Sequence, residues 1–363
     1  MIKGINHVYD RFSLLEECGI EWNRVDCPYP FDEDGKISEL YKMYKQRCEE
    51  CKAHGLKIMS LTPNPMRYIR DAGIDIRKPD GYQRIAEVTA FLANDLKGLV
   101  DGWQVGNELN VYFFRAPYDF DEAIRFAEAG MEGIRSVDKE ILCGYNFSEY
   151  DETSIYMMKK LLHRPELYNY IGYDGYCGTW IKGGPDDFIT AIDEIYALTQ
   201  KPVLMQEFGF ASTGDVIEEG ELDRAMSRFG FRDFDEAVAN CELFLERLPQ
   251  ELSAHIKSAP RKDWEANLRH LEPHILKKWV GGSAEYPHTL EGQAKFYRDL
   301  LPMLLQSPHL IGFFIFSFRD AGRCFFCKEE DCPCETAWGL LDRNGEKKPS
   351  FYAVKEALCG AGE

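Results

Sequence analysis

Trp103-Gln-Val-Gly-Asn-Glu-Leu-Asn110 reads as a buried strand that ends on a polar pair, Asn107 and Glu108. Leu99 and Val100 lead into it, and an aromatic loop with Tyr112, Phe113 and Phe114 follows. Burial disfavours the charged form of a carboxyl group, so a glutamate at the tip of an apolar strand is poised to donate a proton near neutral pH. A strand-end glutamate bonded to its own loop is the plainer alternative. A second stretch of the same kind favours the first reading. Pro202-Val-Leu-Met-Gln-Glu207-Phe-Gly-Phe210 is again an apolar strand that ends on a carboxylate.

Strand-like and helix-like segments alternate along the whole chain. Strands are expected at Gly4–Tyr9, Glu21–Cys27, Leu56–Leu61, the Trp103 stretch, Ile141–Tyr145, Ile171–Tyr176, Val203–Gln206 and Ile311–Phe316. Between and after them, apolar residues at helical spacing predict helices over Asp10–Cys18, Ser38–His54, Tyr82–Leu96, Asp121–Val137, Ser154–Leu162, Asp186–Thr199, Leu290–Leu305 and Tyr352–Leu358. Eight such repeats predict an α/β fold, a (β/α)8 barrel forming one catalytic domain over 1–363, with its active site at the C-terminal ends of the strands. Both glutamates fall there, and so does Arg24. An open doubly wound sheet is the alternative, but no Gly-x-Gly-x-x-Gly follows the first strand.

Composition narrows the class of partner. The 43 Lys and Arg against 61 Asp and Glu give a net charge of −18, which argues against nucleic acid and anionic membranes. No apolar run is long enough to span a bilayer. Twelve cysteines behind an N-terminus without a signal-peptide layout predict reduced thiols and a cytoplasmic protein.

Two segments exceed a minimal barrel. Residues Ala211–Thr289 form a charged insertion after the seventh strand, with helices expected at Asp233–Leu248 and Lys262–Leu271. Leaving from the catalytic end, it is expected to roof the site or make an oligomer contact; a solvated elaboration is the alternative. Within it His270 and His274 have the spacing of a metal pair, but Pro273 argues against a continuous helix and assigns them to the surface. The second segment, 322–336, holds Cys324-x-x-Cys327-x4-Cys332-x-Cys334. Four thiols match a closed structural zinc site, with free thiols or one disulfide as the alternative. Cys48-x-x-Cys51 lies in a helix and reads as ordinary thiols.

These residues resemble the clan A glycoside hydrolases. The resemblance rests on Val105-Gly-Asn-Glu108 at a fourth strand and Gln206-Glu207-Phe-Gly at a seventh. Trp22-Asn-Arg24-Val, Ile171-Gly-Tyr-Asp-Gly-Tyr176 with Trp180, and the tail from Trp338 to Tyr352 add to it. It covers the chain except the insertion and the cysteine segment. Families 5 and 39 are similar, without one being singled out. Leu109 stands where the clan usually has proline, and Phe316 lies in the eighth-strand segment where a tryptophan is common. The resemblance implies a retaining β-glycosidase acting on oligosaccharides or glycosides, Glu108 being acid/base and Glu207 nucleophile, with no cofactor for catalysis. It further implies that Arg24 keeps Glu207 ionised, that Tyr176 bonds the same carboxylate, and that Asn107 holds a sugar hydroxyl. Trp180, Phe316 and Trp338 are the candidate sugar faces. A metal-dependent barrel enzyme, with His7 the one histidine at a strand end, and a catalytically silent sugar-binding barrel are the other readings.

Overall fold

The computed structural model describes residues 1–360. Its strands are β1 (Ile2–Asn6), β2 (Trp22–Asp26), β3 (Lys57–Leu61), β4 (Gly102–Gln104), β5 (Leu142–Ser148), β6 (Tyr170–Gly175), β7 (Val203–Phe208) and β8 (Leu310–Ile315). Each pairs in parallel with the next, and β8 returns to β1 to close a (β/α)8 barrel. The main helix after each strand forms the outer ring. These are α1 (Ser13–Glu17), α2 (Glu39–Ala53), α3 (Gly81–Asp95), α4 (Phe120–Val137), α5 (Glu152–Leu161), α6 (Pro185–Thr199), α7 (Leu290–Gln306) and α8 (Pro349–Cys359).

Strand alternation sorts the side chains into layers. On β4, Trp103 packs outward among the helices while Gln104 points inward. Trp22, Met59, Tyr170, Leu204 and Phe314 form an apolar layer of their own inside the barrel. Gly4 makes room for it, since a Cβ there would lie 2.2 Å from the Phe314 ring. A polar layer adjoins it, made by Asn6, Arg24, Gln104, Asn146, Asp174 and Gln206, none more than 1% exposed. So many buried polar groups are tolerated only because they bond one another.

Several boundaries differ from expectation. β1 stops at Asn6 rather than Tyr9, because His7 takes a left-handed φ of 60° and turns the chain. β5 continues to Ser148. The ladder of the Trp103 stretch ends at Gln104, and Glu108 lies in the turn beyond it. In the insertion, the helix expected over 233–248 breaks at Asn240 into Phe234–Ala239 and Cys241–Arg247. The Asn240 amide donates to the Glu236 carbonyl at 2.8 Å, closing the first helix. The helix expected at 262–271 is a 3-10 turn, Arg261–Asp263, followed by Trp264–Arg269.

The insertion does not stand apart from the barrel. Its apolar residues, among them Phe234, Phe244, Leu252 and Trp279, share one buried cluster with Tyr176, Trp338 and the four cysteines of the 322–336 segment.

Candidate active site

Alternation along β7 would send Gln206 inward and Glu207 outward. A β-bulge changes that. Against β6, Met205 pairs with Tyr173 and Glu207 with Asp174, so Gln206 is skipped. Two consecutive side chains then face the barrel interior. Gln206 bonds the Tyr170 hydroxyl at 2.9 Å, and Glu207 reaches Arg24.

Arg24, from β2, is the hub of the polar layer. Its guanidinium donates to Glu207 Oε1 at 2.6 Å, Asn6 Oδ1 at 2.7 Å, Asn107 Oδ1 at 2.7 Å and Gln104 Oε1 at 2.9 Å. Burial opposes its charge, but Glu207, Asp174 and Asp26 outweigh that and raise its pKa. The other Glu207 oxygen accepts from the Tyr176 hydroxyl at 2.6 Å. Burial and that carboxylate push the Tyr176 phenol well up, so it remains a donor.

Glu108 is placed by its backbone. Gly106 and Glu108 have φ of 67° and 42°, a left-handed conformation that costs a non-glycine residue about 1–3 kcal/mol. Three successive N–H groups of this turn are held by side chains. Gly106 donates to Thr62 at 3.0 Å, Asn107 to Asn64 at 2.8 Å, and Glu108 to Asn146 at 2.8 Å. The Glu108 carboxyl is raised to about 8, mainly by burial and then by the nearby Glu207 charge. Carboxylate oxygens of Glu108, Asp174 and Glu207 lie within 4.8 Å of one another.

The sequence-identified Arg24, Asn107, Glu108, Tyr176 and Glu207 therefore meet at the barrel mouth. The aromatic candidates divide. Phe316 is half-buried and packs edge-on against Tyr176, with ring centres 6.1 Å apart. Trp338 is 1% exposed and lies edge-on to Tyr176, Phe316 and Trp279. Its packing leaves almost no ring face for a sugar, so Trp338 supports the site from behind. Trp180 stacks on Trp338 at 6.4 Å and stays partly open.

Other members were not singled out from the sequence. Asp174 accepts from Asn146, has an unpartnered buried Oδ1, and is raised well above the ordinary range by burial and Glu207. Glu149 follows β5 with a φ of 58°, accepts from the Tyr176 N–H at 3.1 Å, and is raised to about 8 by burial. His7, the strand-end histidine already noted in the sequence, bonds Asp26 at 3.2 Å and lies edge-on to Phe316. The alternation of β5 and β6 was the available signal for Asn146 and Asp174. Phe113 of the loop after β4 meets His255 of the insertion at 5.0 Å and Phe325 of the cysteine segment at 5.6 Å.

His270 and His274 separate. His270 is exposed as expected, but His274 is 4% exposed, a correction to its surface assignment. Pro273 does not exclude a helix there. It occupies the first turn of Glu272–Leu276, where proline fits, and this turn points His274 at the cysteines. Cys48 and Cys51 are buried thiols.

No protein-family model and no curated protein matches the chain. Solved structures share its fold. A GH53 catalytic domain from Ignisphaera aggregans is 18% identical, with a TM-score of 0.60 over 98% of this chain and 96% of its own. Fungal β-1,4-galactanases are 12% identical, with a TM-score of 0.62 over 98% and 94%. A family 39 glycoside hydrolase from Bacteroides cellulosilyticus is 12% identical, with a TM-score of 0.60 over 98% of this chain and 63% of its own. The chain has the barrel of these glycoside hydrolases. At such identities the likeness extends to the fold, and chemistry rests on the residues above.

Proposed function

We propose that the chain is a retaining β-glycoside hydrolase that cleaves O-glycosidic bonds by double displacement. The observation that carries the proposal is a close pair of buried glutamates in opposite surroundings. Glu207 pairs with a guanidinium and a phenol, while Glu108 is held toward its protonated form. A separation within 4.8 Å between carboxylate oxygens suits direct attack and is too short for the intervening water that an inverting enzyme needs.

In the first step Glu207 attacks the anomeric carbon as Glu108 gives its proton to the leaving oxygen. In the second, Glu108 takes a proton from water, which attacks the same carbon and releases Glu207. Asn107 Oδ1 accepts from Arg24, and its Nδ2 is suited to bond a sugar hydroxyl near the nucleophile. The aromatic contacts among Phe113, His255 and Phe325 favour short or terminal glycans over polymers. A divalent ion on Glu108, Asp174 and Glu207 fits less well. The Arg24 guanidinium already bonds Glu207 at 2.6 Å and would repel a cation beside it.

A panel of aryl β-glycosides tests the proposal. Turnover of at least one sugar is expected, unaffected by added magnesium or manganese and abolished in Glu207→Gln. No turnover on any sugar, or Glu207→Gln activity equal to wild type, would remove the proposal.

A further inference from the structure

The cysteine segment and the insertion meet at a cluster that the glycosidase chemistry does not use. Sγ atoms of Cys324, Cys327 and Cys332 lie within 4.8 Å of one another. His274 lies within the same distance of Cys332 and Cys334, and its Nδ1 is 3.9 Å from Cys324 Sγ. All five side chains are at most 6% exposed, and none of the cysteines is in a disulfide. Five soft donors in one dry pocket is a costly arrangement for a merely apolar core, where valine or alanine would pack without crowding sulfur on sulfur.

From this convergence we infer that Cys324, Cys327, Cys332 and His274 bind one structural zinc ion. With Zn–S bonds of about 2.3 Å, a tetrahedral site has S···S edges of about 3.8 Å, so the three sulfurs, already within 4.8 Å of one another, need close by only about 1 Å. Cys334 is the fifth donor and has another partner, since its thiol donates to the Pro273 carbonyl at 3.4 Å. It supports the site from outside. Its own carbonyl accepts from Trp338 Nε1 at 2.9 Å, tying the metal loop to the aromatic wall under Tyr176. Three thiolates and one imidazole leave no open position, so the ion activates no water. Binding would release the three thiol protons.

The ligands come from two segments fifty residues apart, the helix Glu272–Leu276 of the insertion and the loop after β8. Zinc here clips the insertion onto the barrel. His274 also packs against Trp180 at 5.3 Å and Phe326 at 4.4 Å. Metal removal should therefore loosen the roof of the site while leaving Glu108 and Glu207, which are held by barrel strands, in place.

The test needs no substrate. The full chain, expressed with zinc and purified under reducing conditions, should contain about one zinc per chain. A mercurial that caps thiols should release it stoichiometrically. The cobalt-substituted protein should show tetrahedral bands with thiolate-to-cobalt charge transfer. Cys334→Ser should keep the metal, and His274→Ala should lose most of it. Wild-type protein with no zinc after reconstitution, or with these cysteines paired as disulfides, would overturn the site. Zinc kept by His274→Ala and lost by Cys334→Ser would overturn this ligand set in favour of four thiolates. These readings on wild type stand even if a cysteine variant fails to fold.

Discussion

Glu108 is held by burial and by a neighbouring negative charge, Glu207 by a guanidinium and a phenol, and the proposed division of roles follows from that difference. If Glu108 donates the proton, Glu108→Ala should lose about 10²–10⁴-fold in kcat/KM on substrates with a poor leaving group. Dinitrophenyl glycosides, which leave without protonation, should be cleaved to the glycosyl-enzyme at near wild-type rate. Azide should then accelerate the second step. An equal loss on both leaving groups, with no azide effect, would remove the role from Glu108. At this scale the sequence was legible where a residue is placed by its own strand or the turn that follows it, as for Arg24, Asn107, Glu108, Tyr176 and Glu207. Asp174, Glu149 and His274 were not legible. Their roles depend on Asn146, Tyr176 and Cys324, partners brought near only by the closed barrel or the folded insertion.

The elements carry the site through small departures from regularity. The β7 bulge turns both Gln206 and Glu207 inward, and the left-handed turn after β4 sets Glu108 opposite. Neither is written in hydrophobic periodicity, which predicted eight strands but placed the end of β1 too late and the end of β5 too early. Helix packing offers a cleaner test. At Gly133 on α4, a Cβ would lie 2.1 Å from the Ala86 carbonyl oxygen and from Thr89 Oγ1 on α3. Replacing a mid-helix glycine by alanine gains up to about 1 kcal/mol in propensity, whereas forcing the helices apart costs about 1–3 kcal/mol. The overlap involves backbone and should win. Gly133→Ala is expected to lower the urea midpoint with an unchanged m-value. A midpoint at or above wild type would show that the two helices separate freely.

For the whole molecule, the buried carboxyls couple stability to pH. Glu108 and Glu149 are both raised to about 8, so the folded state holds protons that the unfolded chain has released. Their stabilising contribution is complete below the ordinary carboxylate range and is lost as pH rises through about 8. The melting temperature should accordingly fall between about pH 5 and 8, and Glu108→Gln with Glu149→Gln should flatten that decline. An equally steep decline in the double variant would place the pH sensitivity elsewhere. The barrel that houses these groups was legible from the alternation of segments. The position of the insertion core was not, because its apolar residues are scattered over short helices and meet only against Tyr176, Trp338 and the cysteines.

In double displacement Glu207 attacks the sugar directly and Glu108 returns the proton. Two displacements at one carbon restore its configuration. Proton NMR of the first product, recorded before mutarotation on the best substrate of the aryl β-glycoside panel, measures this most directly. The β anomer is expected. An α anomer would mean a single displacement by water and would contradict the role given to Glu207.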